Sequence, residues 1–368
     1  MVPTPIPAPP LDIPASKTTV KVSIIDSTGR LGKIPTSLFF EPPIPGYDFW
    51  SAPSYCFLIE HGPSGHKLLY DLGLRKDPDN HPPAVKKLVD GWALTADKDV
   101  ADVLVENGVA LVDIKDIFWS HRHFDHNGDP SLFPPTTNLI VGPGFKKMVG
   151  EGYPGTEDSI VTSSAWEGRK FIELDFESDK RATQVDRWKA IDWFGDGSFY
   201  LLQSPGHTVD HISALARTKL APQSSMGKDE FIFIGGDVAH HGGELKPNLF
   251  SPIPAEIAPD PRLAPYAGGC CPGEYYAQYN RRHEGDARWN GTVFTTANGF
   301  LDDPEKAAWS LGVVEEFDAH DNVFVVFAHD DTLLDVVDFY PKDATDWKEK
   351  GWKREGYWRF LESIKGSG

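Results

Sequence analysis

Apolar residues fall along this chain in short runs rich in Val, Ile, Leu, Phe and Tyr, punctuated by Gly, Pro, Asn and Asp. The runs are Thr18 to Ile25, Tyr55 to Glu60, His66 to Tyr70, Ile114 to Trp119 and Asn138 to Val141, then Ser198 to Gln203, His211 to Ala216, Phe231 to Ile234 and Asn322 to Phe327. Their brevity and β-branched or aromatic content predict strands. Between them, Pro83 to Val89 and Asp97 to Glu106 carry apolar residues at helical spacing, the second closing at Asn107-Gly108 as a left-handed cap would. Asp303-Pro304 opens a further helix, with Asp as N-cap and Pro at the first helical position. Ala307, Leu311, Val314 and Phe317 then share one face. Strands alternate with helices in both halves, so sheets covered by helices, an α/β fold, are expected.

The first sixteen residues hold six prolines. This arm, 1–16, can make neither helix nor ladder and is expected to lie extended, either disordered or draped over the body. Residues 17–368 are long enough for one large domain and carry 40% hydrophobic residues to fill its core. Lys and Arg number 36 against 54 Asp and Glu, a net charge of −18 that repels polyphosphate backbones and argues against a nucleic-acid partner. No run is apolar for long enough to span a bilayer or to act as a signal peptide. Cys56 and the adjacent Cys270-Cys271 give no disulfide framework, and sequence neighbours bridge only under strain. A cytoplasmic protein without a membrane partner is expected.

The chemistry concentrates in SHRHFDHNGD, Ser120 to Asp129, directly after an apolar run. On an extended backbone His121 and His123 project to one side, so both imidazoles can reach one ion, and the Asp125-His126 pair is free for another. Three further metal-capable residues stand at the ends of apolar runs: His207 in SPGH, Asp237 in GGD and His329 in AHD. Glycine beside His207 and Asp237 lets the backbone turn sharply towards an ion, and strands fix the geometry. Imidazole and carboxylate donors suit zinc, and they also serve iron or manganese.

The order HRHFDH, PGH, GGD, AHD resembles the metallo-β-lactamase superfamily, and the likeness spans most of the chain. It implies an αββα four-layer sandwich holding two divalent ions. Residue by residue, it implies that His121, His123 and His207 hold the first ion, that Asp125, His126 and His329 hold the second, and that Asp237 bridges them. LYDLG resembles the family's strand-end Asp-x-Gly, with Asp71 orienting the histidine loop. GHTVDH resembles the family's GHTPGH, with His211 in a supporting role. The flavour of HFDHNGD is that of the N-acyl homoserine lactonase branch and related lactone and lactam hydrolases.

Two departures stand out. That branch usually carries a tyrosine three residues after the bridging aspartate, where this chain has His240, leaving the contact to the leaving group or oxyanion open. The spacing from Asp237 to His329 is also long for the family, 329 − 237 = 92 residues. It points to an insertion over 247–299 that lids the pocket or forms a subunit contact, as in a homodimer.

The resemblance implies a hydrolase that opens a small cyclic ester or amide. Hydroxide generated at the metal pair would attack the carbonyl, while Asp125 shuttles a proton, Asp237 bridges and His240 helps. The substrate is a small molecule, apolar or aromatic given the aromatics near Tyr47 to Trp50, although such residues more often simply pack. The alternative is an acyl thioesterase of carrier-protein or glyoxalase II type, which would need a basic surface for a phosphorylated or glutathione tail. Diiron oxygen-reducing relatives substitute a glutamate in the signature and non-catalytic relatives lose ligands, and neither departure is present. His241 and Cys270-Cys271 read as structural residues.

Overall fold

The computed structural model describes residues 2–263 and 268–364. Two sheets pack face to face. The first runs Ala93–Thr95, Lys21–Pro35, Phe49–His61, His66–Tyr70, Ile114–Phe118, Asn138–Val141 and Phe171–Glu173. It is antiparallel up to His66–Tyr70 and parallel beyond. The second runs Val323–Val326, Glu230–Ile234, Ile212–Lys219, Phe199–Gln203, Trp188–Asp192 and Ala182–Val185, with only the first pair parallel.

The period-two alternation of side chains decides which residues meet between the sheets. Ile24, Phe57, Leu68 and Phe118 face Leu201, Ala214, Ile232 and Val326 in the central core. Their neighbours Ile25, Leu58, Leu69 and Ile117 point outward, onto the helix Val100–Glu106. On the far side, Leu215, Phe233 and Val325 pack on Val313, Val314 and Phe317 of the helix Pro304–Asp318. Helix, sheet, sheet, helix is the αββα sandwich.

Most of the expected elements form, with instructive differences at their edges. The helix expected over Asp97 to Glu106 begins at Val100, because the amides of Asp97 and Lys98 bond to Thr28 Oγ1 and Asp99 takes the N-cap, paired with Asp102. The first strand does not stop at Ile25 but continues to Pro35 through Ser27-Thr-Gly29, which reads as a turn. The chain stays paired by slipping register between Asp26 and Arg30, with Thr28 and Lys33 at positive φ. The partner strand likewise starts at Phe49, well before Tyr55. These extensions carry the sheet out beside the metal-capable residues.

The N-terminal arm is draped over the second sheet. Its carbonyls at Asp12 and Pro14 accept from Asp186 N and Arg217 Nη2, Pro9 O accepts from His320, and Leu11 and Ile13 pack on the outer core. Residues of the 247–299 stretch, among them Ile253, Tyr276 and Phe294, form a separate cluster with Phe40, Trp50 and Phe360. Among the described residues no helix is long and apolar enough to cross a membrane.

Candidate metal centre

Five strand ends deliver the site. Ile114–Phe118 runs into Ser120 and His121, after which His123 starts the single helical turn Phe124–Asn127 that carries Asp125 and His126. Phe199–Gln203 leads to His207, Glu230–Ile234 to Asp237, Val323–Val326 to His329, and His66–Tyr70 to Asp71. Two glycines are required by close approach. At Gly206, a Cβ would lie 2.2 Å from Ala307 N at the start of the helix Pro304–Asp318. At Gly236 (φ +55°), it would meet Ser120 Cβ at 2.9 Å.

Folding brings all seven ligand-type residues together. The donor atoms of His121, His123, His207 and Asp237 lie within 4.8 Å of one another, and those of Asp125, His126 and His329 form an adjoining group. Asp237 sits between them. Its Oδ1 is 3.1 Å from His126 Nε2 and 3.2 Å from His329 Nε2, while its Oδ2 is 3.4 Å from His207 Nε2 and 3.7 Å from His121 Nε2. Asp125 Oδ2 is 3.3 Å from His329 Nε2, and His123 Nδ1 is 3.0 Å from His207 Nε2.

The donor set fits divalent cations. His121 Nε2, His126 Nε2 and Asp237 Oδ1 are buried yet make no hydrogen bond among the described residues, although they lie close to one another. Buried polar atoms left unpaired are costly. Lone pairs aimed at common points are what coordination requires.

The outward-facing nitrogens are held. His126 Nδ1 is 2.9 Å from Asp71 Oδ2, and Asp71 Oδ1 accepts from Ser120 N at 2.6 Å. His329 Nδ1 donates to Pro53 O at 2.7 Å. His211 donates from Nδ1 to Ser204 O, and its Nε2 accepts from Asp237 N at 3.0 Å, so it braces the bridging aspartate from behind. Arg122 donates to Asp210 and to both oxygens of Asp302, whose amide in turn bonds His207 O. Sequence reading missed Arg122, Pro53 and Glu244, because nothing local marks a carbonyl or an ion pair that becomes a support only after folding.

Charge is divided unevenly over the two groups. Burial, together with the neighbouring imidazoles, holds His121 and His207 well below the ordinary histidine range, and burial takes His123 down to about 4. Burial opposes charge on His126 and His329 too, but Asp237 and Asp125 overcome it, raising His126 well above its usual value and His329 to about 10. Burial works against ionisation of Asp237 as well, yet His126, His329 and His121 keep its carboxylate well below the usual range. Cation binding at the His126–His329 side must therefore displace protons.

Beside this centre opens a narrow cleft whose walls are Leu31, Ile34, Phe39, Trp50, Leu88, Trp92, Phe124 and Phe300, with His123, Asp125, His207, Asp237 and His329 at its base. Phe39 stacks on Phe300 at 4.7 Å, and Trp50 meets His329 edge-on at 5.7 Å. Among the described residues no Lys, Arg, Ser, Thr, Asn or Gln lines it. Of the Tyr47–Trp50 aromatics only Trp50 reaches the cleft, since Tyr47 packs on Phe40 and Phe294 and Phe49 is exposed. His240 approaches Asp237 beside a small cavity that shares His207 and Asp237 with the cleft, and its ring meets Phe39 edge-on at 4.9 Å. His241 caps a helical turn and bonds Ser363, Cys271 is buried, and Cys270 is exposed.

No family model matches the chain. It is 44% identical over 360 residues to the gamma-lactamase FDB1 of Fusarium pseudograminearum, covering 96% of this chain and 84% of that protein. It is 40% identical over 368 residues to the metallo-hydrolase mfmC of Annulohypoxylon moriforme, covering 98% and 92%. Among solved structures, a B. thuringiensis AiiA variant with N-decanoyl-L-homoserine at its active site superposes with a TM-score of 0.56. At 16% identity, over 89% of this chain and 99% of that one, this likeness shows a common fold. Matched along most of the length of two such relatives, and built on the sandwich and the histidine–aspartate cluster described above, the chain belongs to the metallo-β-lactamase superfamily and is a metal-dependent hydrolase.

Proposed function

We propose that the protein opens a small, uncharged cyclic amide or ester, a γ-lactam or lactone with an apolar or aromatic body, at a pair of zinc ions. The observation that carries this reading is the adjacency of an all-apolar, aromatic-walled cleft to the two donor groups that share Asp237. The gamma-lactamase name of the FDB1 relative supports the amide option. The first ion would be held by His121, His123 and His207, the second by Asp125, His126 and His329, with one oxygen of Asp237 turned to each. Such ions, when bound, lower the pKa of a shared water towards roughly 7 and polarise a carbonyl.

The chain's own residues do the rest. Phe39, Phe300 and Trp50 hold a flat ring by stacking and exclude water, so the scissile carbonyl sits at the base of the cleft. Asp125 reaches both the His329 group and the cleft, and it is the residue placed to take a proton and return it to the leaving nitrogen or oxygen. A thioester with a phosphorylated tail finds no cation on these walls. The free thiols of Cys56 and Cys271 suit a reducing, cytoplasmic setting.

A panel of γ-lactams, lactones and thioesters, with aromatic and aliphatic bodies, tests the proposal in the presence and absence of chelator. Chelator-sensitive, zinc-restored opening of an aromatic lactam or lactone is expected. Preferential thioester cleavage, or turnover indifferent to chelation, would overturn it.

A further inference from the structure

Beyond the seven residues of the two groups, one more imidazole reaches the bridging carboxylate. His240 Nε2 stands 3.4 Å from Asp237 Oδ2, the oxygen that His207 Nε2 approaches at 3.4 Å and His121 Nε2 at 3.7 Å. Its ring centroid lies 4.8 Å from that of His207. The residue is 2% exposed, and neither ring nitrogen has a hydrogen-bond partner among the described residues. A buried imidazole without hydrogen bonds is costly unless a neighbouring charge or a bound ion takes up its nitrogens.

The far side of the ring repeats a pattern already present at His126. There, one nitrogen faces Asp237 and the other a buried carboxylate, Asp71. At His240, Nδ1 faces Glu244 Oε2 at 3.8 Å. Glu244 is itself fixed, accepting from the amides of His240 and His241 at 2.7 and 3.1 Å and from Thr296 Oγ1. A fully buried glutamate tied down in this way does not serve solubility. It suits the carboxylate that orients a metal-ligating histidine and raises its basicity.

We propose that His240 is a further donor to the metal centre, on the Asp237 Oδ2 side with His121, His123 and His207, and that Glu244 is its positioning residue. The proposal rests on the two-ion reading above. It explains why a histidine stands three residues after the bridging aspartate, with Nε2 turned to Asp237 while the ring meets Phe39 of the cleft wall edge-on at 4.9 Å.

The test uses the full-length protein loaded with zinc or cobalt: wild type, His240→Gln and Glu244→Gln. X-ray absorption fine structure counts imidazoles per ion, and chelator competition measures affinity. Wild type is expected to hold two ions and, across the pair, one imidazole more than His121, His123, His207, His126 and His329 supply. His240→Gln should lose that imidazole, alter the cobalt d–d spectrum and weaken one ion by about 10–100-fold; Glu244→Gln should keep the count but weaken the same ion. A wild-type imidazole count limited to those five residues, or a His240→Gln protein with unchanged spectrum and affinity, would overturn the proposal. Should His240→Gln fail to fold, the wild-type count alone decides. Wild type without stoichiometric metal would instead overturn the two-ion reading, so the two failures are distinguishable.

Discussion

Asp71 holds His126 from the end of a neighbouring strand: its Oδ2 is 2.9 Å from His126 Nδ1, and its own backbone is in the left-handed region at φ +59°. A left-handed non-glycine residue costs energy that its surroundings must offset, and here the offset is two contacts, one to the ring and one to Ser120 N at 2.6 Å. Asparagine tolerates the same backbone, so Asp71→Asn isolates the loss of charge. We expect it to fold, to weaken metal binding by about 10–100-fold and to lower activity in parallel. Metal titration followed by fluorescence or elemental analysis checks this, and activity fully restored by excess zinc would mark the defect as one of metal retention.

Asp237 joins the two groups because each of its oxygens faces a different set of histidines. Asp237→Asn keeps the shape but removes the charge that both groups share. Turnover is expected to fall by about two to three orders of magnitude or more, on the scale of losing a group that stabilises transition-state charge. The far-UV spectrum should be unchanged, since the strand Glu230–Ile234 is set by core packing upstream of the site. Retained full turnover would refute the role of Asp237.

Much of this was legible before folding, because strand ends carry their own signal. An apolar run that ends in His or Asp needs no tertiary knowledge, and His121, His207, Asp237 and His329 were each marked that way, His207 and Asp237 with glycine beside them as well. The cleft was not. Phe39, Phe300 and Leu31 are unremarkable in sequence, and they become walls only because Lys21–Pro35 and Phe49–His61 extend past residues that read as turns and the chain after 247–299 folds back to stack Phe300 on Phe39. Strands at Phe171–Glu173, Ala182–Val185 and Trp188–Asp192 were also missed, being short and interrupted by polar residues; the first two lie at the sheet edges, where such residues face solvent. Sequence period reports burial within one element, whereas pockets are made between elements.

Phe300 stacks on Phe39 at an interplanar angle of 18°, and both border the cleft. An aromatic pair is worth about 0.5–1.5 kcal/mol beyond its buried area. Phe300→Ala should therefore raise KM for an aromatic substrate by roughly 2–10-fold while leaving kcat nearly unchanged, because no reacting atom is touched. For a small aliphatic lactone the effect should be weaker. Equal losses on both substrates would show that Phe300 supports the fold and makes no stacking contact with substrate.

Glu315, on the helix Pro304–Asp318, is pushed up to about 7 by burial, with Asp318 and Glu316 adding to the shift and Arg282 opposing it. Its folded pKa lies above its unfolded value, so the folded chain holds a proton that the unfolded chain releases. The associated stability is fully present below the unfolded value near 4.5 and is lost as pH rises through about 7. Glu315→Gln mimics the protonated form at every pH. Thermal melts of the metal-free proteins should place the variant's Tm near that of wild type at pH 4 and progressively above it from pH 5 to 7, levelling off beyond. A Tm difference independent of pH over that window would mean that Glu315 ionises in the folded state as it does in water, and that the helix face it occupies is better solvated than its packing implies.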